Sequence, residues 1–518
     1  MFIGTAWAIV PPIVAIVLAL ITKEVYSSLF AGCLLAAVFV SISLLPAGLG
    51  FWPSVGNVAW GSFERLFASM AENMDLNILI FDVLLGMIIV LLAKSGASRA
   101  YGAWASKRIK SKRGAMLSTS ALGILIFVDD YFNCLTVGNI MRPITDKYKV
   151  SRAKLAYIID ATAAPVCILA PVSSWAAAVS SYIPEGYDIN GFQMFCAAIP
   201  FNFYAILTLI MVFFTSFFLI DFGKMRRHEL NAAKGDLFTS GGEEFKDMEQ
   251  SEQEGSDRGR VSDLLIPIIV LIVTAVFAMI LTGYHNGAEN LIDAFANCSA
   301  SLALVFATFM TVIVMAIMYI PRKVVSAREF INCLVEGFKV MIPAITVLIF
   351  AWTLKGLVDQ LSIGTFVQGI FSNSTAVSIF LPVAIFLVAC LLGFSTGTSW
   401  GTMGILIPII VPMCASMPEV MTICISATMA GAVCGDHLSP ISDTTIMSSA
   451  GAQCNHINHV ETQMQYAIPV IAVSAVSFII AGAVKHWYIA LPISIVIMLA
   501  VIMVLYKVSN GKKAKDAA

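Results

Sequence analysis

Gly435-Asp436-His437-Leu438-Ser439-Pro440-Ile441-Ser442-Asp443-Thr444-Thr445 sets two carboxyls, an imidazole, a proline and a run of hydroxyls inside a part of the chain otherwise oily enough to cross a bilayer. An ionised carboxylate at the centre of a membrane helix is disfavoured by roughly 2.5–3.5 kcal/mol on insertion scales, so it faces a partner, an ion or a water-filled path. Pro440 removes a backbone donor and breaks the helical ladder. The stretch therefore reads as an interrupted membrane helix, whose freed carbonyls and half-helix ends are tolerable only where they line a cavity.

The rest of the chain supports a membrane setting. Hydrophobic residues make up 59% of the sequence and charged residues 12%, against about 25% charged in a soluble domain. At about 20 residues per span, an all-α polytopic membrane protein with little soluble mass is expected, and its chemistry must lie within the membrane part. Residues 1–21 carry no Lys or Arg and read as a first span, not a signal peptide. The net charge of −1 gives no footprint for nucleic acid. Eleven cysteines, scattered through apolar segments without metal-ligand spacing, read as small buried hydrophobes.

Basic residues cluster at 107–113, at 142–154 and across 224–260, and the positive-inside rule puts all three in the cytoplasm. Residues 114–141 must then leave and return on one side, which is too short for two spans. A re-entrant hairpin is expected, with Asp129 and Asp130 near its tip. Residues 153–183 go out, 184–191 are external, 192–222 return, and 224–262 form a flexible polar linker.

Beyond the linker the pattern repeats at an offset of about 265–269 residues. Residues 76–93 fall on 341–358, Phe127-Val128-Asp129-Asp130 near Phe394-Ser395-Thr396-Gly397, and Pro171-Val172-Ser173 on Pro440-Ile441-Ser442. Counting spans gives the second hairpin, 376–417, the opposite orientation. Arg322, Lys323, Arg328, Lys507, Lys512, Lys513 and Lys515 all fall inside. The expected organisation is a first membrane repeat over 1–222, a cytoplasmic linker over 223–262, a second, inverted repeat over 263–508 and a cytoplasmic tail over 509–518. Two inverted repeats, each with a re-entrant hairpin and a broken helix, are the signature of alternating access.

The polar candidates follow from this frame. Ala164-Pro165 and Ala170-Pro171-Val172-Ser173-Ser174 break the first half as 435–445 breaks the second. In the second hairpin, Thr396, Thr398 and Ser399 flank Gly397 and offer hard oxygen donors, so sodium is assigned to Thr398, Ser399, Asp436 and Asp443; such residues also serve ordinary helix packing. Adjacent Asp129 and Asp130 resist simultaneous ionisation, which makes one a proton carrier, and since they point to different faces only one need reach the site. Asp160, in the apolar run 155–169, belongs either to the site or to a structural Arg or Lys. His437 is either a proton relay or a neutral hydrogen-bonded ring. Asp82 lacks such neighbours and is a weaker candidate. Lys94, Lys339 and Lys355, at span ends, are expected to snorkel.

Gly397-Thr398-Ser399-Trp400-Gly401-Thr402, the 435–445 stretch and Phe127-Val128-Asp129-Asp130-Tyr131-Phe132-Asn133 together resemble the NhaC family of sodium/proton antiporters, over about residues 11–505. The resemblance implies sodium coupling, a homodimer in a bacterial cytoplasmic membrane, and elevator-like movement of a hairpin-bearing part against a fixed scaffold. It also implies an ion and substrate region at Asp129, Asp130, Asn133, Ser173, Thr398, Ser399, Asp436, Ser439, Asp443 and Thr444, with no cofactor beyond sodium and protons. Relatives are similar to malate/lactate exchangers and amino-acid carriers as well. Sodium/proton antiport, with both ions competing for one acidic site, is therefore the expected function, and sodium-coupled transport of a small organic solute the alternative. An aspartyl intramembrane protease would need Gly-x-Gly-Asp, where this chain has Val433-Cys434-Gly435-Asp436, and no His-Glu-x-x-His motif is present.

Overall fold

The computed structural model describes residues 2–516 except 23, 47, 128, 184–190, 241–255, 292–293, 295–296 and 363–374. Among these, all regular structure is helical: α1 (Val10–Thr22), α2 (Val25–Ser43), α3 (Phe51–Glu72), α4 (Leu76–Lys94), α5 (Ala97–Arg108), α6 (Lys112–Leu125), α7 (Asp130–Lys147), α8 (Arg152–Ala161), α9 (Ala164–Cys167), α10 (Ser174–Tyr182) and α11 (Gly191–Ala198). Then come α12 (Phe203–Phe218), α13 (Gly223–Ala233), α14 (Val261–His285), α15 (Ala300–Tyr319), α16 (Ala327–Gln360), α17 (Thr375–Thr396), α18 (Ser399–Met413), α19 (Pro418–Leu438), α20 (Asp443–Ala452), α21 (His456–Val484) and α22 (Trp487–Asp516). Nine helices among the described residues are long and apolar enough to cross a bilayer. The chain is an all-helical, multi-pass membrane protein.

The short helices are the informative ones. α6 has 14 residues, roughly 21 Å at 1.5 Å per residue, which falls short of the roughly 30 Å hydrocarbon core. It packs on α7, with the described residues 126, 127 and 129 between them non-helical. In the second half α17 and α18 meet the same way at Gly397 and Thr398. Gly397 is required there twice over: its φ is +67°, and a Cβ would lie 2.6 Å from the Ile441 carbonyl oxygen. Polar breaks likewise separate α8, α9 and α10, and α19 from α20.

The helices sort into two packing groups. α1–α5 pack with α14–α16, and α6–α13 pack with α17–α22. Each half of the sequence thus gives its early helices to the first group and its later helices to the second. The seam between the groups is made chiefly by α16 against α18, α5 against α7 and α1 against α17. Where lipid replaces water, helices gain little from burying apolar area against each other, so close backbone approach over small residues does the work. α4 crosses α16 at Gly86 and Gly337, and α7 crosses α20 at Gly138 and Gly451; a Cβ on Gly138 would lie 2.4 Å from the Gly451 carbonyl carbon.

Several sequence expectations change here. Residues 224–262 do not begin as a flexible linker: α13 docks there with Met225, His228, Glu229 and Ala232 buried, and Glu229 pairs with Lys112 at 2.5 Å. Of the rest, 241–255 lies outside the described residues, as does 184–190 of the expected external loop. The tail from 509 continues α22 to Asp516. Lys355 does not snorkel. Its Nζ donates to the Ser181 and Ile183 carbonyls at 3.2 Å, closing the end of α10. Lys94 pairs with Glu336 at 2.6 Å.

Gly138→Val should drive a side chain into the α20 backbone and destabilise by about 1–3 kcal/mol, read as a lower melting temperature in detergent. Gly56→Val, where nothing lies within 4 Å of an added Cβ, should leave it unchanged.

Candidate functional site

Four half-helix starts define the site. Ser173 caps α10 by accepting from the Ala176 N–H at 3.1 Å, and Ser442 caps α20 by accepting from the Thr445 N–H at 3.2 Å. Thr398 caps α18 at Gly401, and Asp129 takes the matching place before α7, its carbonyl accepting from the Asn133 N–H at 3.1 Å. Ser173 pairs with Ser442, and Asp129 with Thr398, at one and the same repeat spacing. Such caps satisfy one or two of the free N–H groups of each first turn. The remainder, with the helix dipole, leave these ends partly positive. The opposite end of α20 is closed by Arg152, which donates to the Ala452 carbonyl at 2.9 Å, and by Arg142, which donates to the Gly451 carbonyl at 3.4 Å.

Asp436, in the last turn of α19, is buried at 3% exposure. Its Oδ2 accepts from the Ser399 hydroxyl at 2.8 Å, while Oδ1 has no hydrogen-bond partner among the described residues. Asp130 from the first hairpin is equally buried, leaves Oδ1 without a partner, and lies close enough for its charge to act on Asp436. Trp175 and Trp400, second residues of α10 and α18, meet edge to face at 5.8 Å between ring centroids; the Trp175 indole N–H faces the Asp130 carboxyl, and that of Trp400 is buried without a hydrogen-bond partner among the described residues. Asp443 lies at the rim, accepting from the Tyr131 hydroxyl at 3.5 Å. Among the described residues no Lys or Arg acts on Asp130 or Asp436.

Other candidates hold the framework. Asn133 donates its amide to the carbonyls of Gly123 (2.7 Å), Ile126 (2.9 Å) and Thr162 (3.2 Å), tying the hairpin tip to the α8–α9 break. Ser173, besides capping, donates to Cys167 and Ala170 carbonyls, and buried Ser174 opens α10 behind it. Thr396 donates back to Leu392. Ser439 accepts from the Ile441 N–H at 3.3 Å, and Thr444 shares a hydrogen bond with Ser442.

Asp160 does not pair with Lys or Arg. Its Oδ2 accepts from Thr445 (3.1 Å), His459 Nε2 (3.3 Å) and Gln463 Nε2 (2.5 Å). His437 turns away from its neighbour Asp436, with Nε2 at 3.1 Å from the Asp160 carbonyl oxygen and Nδ1 at 3.3 Å from the Tyr204 hydroxyl. This knot joins α8, α12, α19, α20 and α21. Sequence reasoning missed His459 and Gln463; the signal was two polar residues one helical turn apart at the start of an apolar helix. Among the described residues no three His, Cys, Asp or Glu side chains form a metal cluster. What the arrangement offers is hydroxyl, carboxyl and free carbonyl oxygen, a donor set for a hard monovalent cation.

A model of the Na+/H+ antiporter family matches residues 167–483. The chain is 41% identical over 493 residues to an uncharacterised protein of Haemophilus influenzae, covering 93% of this chain and 92% of that one. It is 27% identical over 165 residues to the malate-2H(+)/Na(+)-lactate antiporter of Bacillus subtilis, 30% of this chain and 33% of that one. Among solved structures it is similar to MtrF of Neisseria gonorrhoeae, described as illuminating a class of antimetabolite efflux pumps, with a TM-score of 0.49 at 12% identity over 89% of this chain and 94% of that one.

His459→Ala and Asn133→Ala each strand buried polar partners, at about 1–3 kcal/mol per orphaned group. Each should lower the melting temperature by several degrees, whereas Thr396→Ser, which keeps its hydroxyl, should not.

Proposed function

We propose, from the premise that this chain belongs to the Na+/H+ antiporter family, that it exchanges sodium for protons by alternating access. At the coarser level it is a multi-pass membrane transporter and not an enzyme. The observation that carries the finer reading is Asp436 held by Ser399 with one oxygen left open, beside Asp130 and with no basic side chain acting on either. Buried carboxyls without fixed cations must be neutralised by a proton or a mobile cation. An ionised Asp436 would take sodium together with Ser399 and carbonyls freed at the breaks; with a proton in place the cation leaves.

Alternating access would come from the second packing group, which carries both hairpins and both interrupted helices, moving against the first. We assign the two halves to inverted repeats, the linker and carboxyl end to the cytoplasmic side of a bacterial inner membrane, and the assembly to a homodimer, all as the family resemblance implies. A second reading is favoured by one specific feature. The buried indole N–H of Trp400, without a partner among the described residues, is a donor that no cation can use, and it would suit the carboxylate of a small organic solute.

Adding sodium to proteoliposomes should move protons with no organic solute present; strict dependence on an added carboxylate or amino acid would overturn antiport in favour of the second reading. Asp436→Asn should abolish the sodium response. Ser399→Ala removes a hydrogen bond to a charged group, about 1.5–3 kcal/mol, and should raise the half-saturating sodium concentration about tenfold or more.

A further inference from the structure

Asp82 is a buried carboxyl that the transport scheme leaves idle. It sits within α4, in the first packing group, at 1% exposure, and neither of its oxygens has a hydrogen-bond partner among the described residues. Three other deeply buried acids are served on at least one oxygen: Asp436 by Ser399, Asp160 by His459 and Gln463, Asp263 by Arg322 at 2.5 Å. An ionised carboxylate with no partner in such a place costs several kcal/mol. In this conformation Asp82 is therefore seated with its proton.

The groups around it are few. Asp129, at the tip of the first hairpin, acts on it electrostatically across the seam. From α10 comes Tyr182, whose hydroxyl is also buried without a partner. On α16, Glu336 is paired with Lys94, Lys355 donates to the Ser181 and Ile183 carbonyls, and Arg328, Glu329, Lys339 and Asp359 are exposed. α15 offers only Tyr319, bonded to the Asp263 carbonyl. On α5, Tyr101 is half-buried, Arg99 pairs with Asp257, and Lys107 and Arg108 are exposed. Among the described residues no basic group acts on Asp82. Beside Asp129 lies a cavity of about 20 Å³, room for one water, walled by Leu85, Ile88 and Leu92 of α4 and by Ile268 and Leu271 of α14.

We propose that Asp82 is a proton-binding site separate from the cation site at Asp436, with Asp129 as its exchange partner across the seam. The two carboxyls are not hydrogen-bonded in this conformation, so the step requires the hairpin tip to approach α4: the Asp82 carboxyl then gives its proton to the Asp129 carboxylate, one O–H bond breaks, one forms, and the pair keeps a single negative charge. With Asp82 neutral, the hairpin tip can rest against α4. Were both carboxyls ionised, two like charges would face each other inside an apolar wall and push the tip away. Proton binding at Asp82 and cation binding at Asp436 are then linked through the position of the hairpin, and the proton that displaces the cation from Asp436 reaches it by way of Asp82 and Asp129. The proposal rests on the antiport reading.

The test uses the full-length protein in liposomes, with two transport readouts and one spectroscopic one. Asp82→Asn, locked neutral, should keep radiosodium counterflow within about twofold of wild type, lose sodium-driven proton movement at least tenfold, and lack an infrared band of a protonated carboxyl that the wild type shows. Asp82→Glu should recover part of the proton movement and the band. Wild-type proton movement in Asp82→Asn, an unchanged carboxyl band, or an equal loss of counterflow and proton movement would each overturn the proposal. A wild type that moves no protons in response to sodium would overturn antiport instead, and the infrared comparison would still decide whether Asp82 holds a proton.

Discussion

A carboxyl group carried into the bilayer interior must be accompanied by a proton, a cation or a set of donors, and the arrangement of this molecule follows from how it meets that demand. Asp160 is met by donors: a histidine, a glutamine and a threonine all reach its Oδ2, a second histidine bonds its backbone carbonyl, and together they weld five helices. Asp436 has hydroxyls alone, Ser399 donating to its Oδ2 and Ser442 lying within reach, and like Asp160 it keeps an Oδ1 without a partner among the described residues. The number and kind of donors, not the open oxygen, set the structural acid apart from the one proposed to bind and release an ion. Both lie in the same packing group, so the welded acid gives Asp436 a firm base.

The helix breaks serve the same demand. A continuous helix uses its backbone groups internally, whereas a half-helix presents free N–H or C=O groups at its end. Interrupting α8–α10 and α19–α20, and starting α7 and α18 anew after α6 and α17, brings such ends close to the carboxyls. Serine and threonine caps keep each end from unravelling. Arg142 and Arg152 close the far end of α20, so its polarity is exposed on one side only.

Much of this was legible in the sequence because it is written locally. Pro171 and Pro440, each followed two residues later by serine, mark helix restarts. The division into two packing groups was not legible, since it depends on contacts between helices hundreds of residues apart. The partners of Asp160 come from α20 and α21 and were hidden for the same reason. The ordered helix α13 escaped notice because its charged surface outweighs the few side chains it buries. Lys355 looked like an interfacial lysine until the end of α10 was seen beneath it.

The account stands on acids from both halves sharing one chamber without a fixed cation. A cryo-EM density map of the protein in sodium-containing buffer tests this most directly. It should show an ion-sized peak in contact with Asp436 and Ser399, with Asp130 nearby and no Lys or Arg side chain reaching either carboxyl. A map in which each acid is closed off by its own basic residue, with no space between the two hairpins, would contradict it.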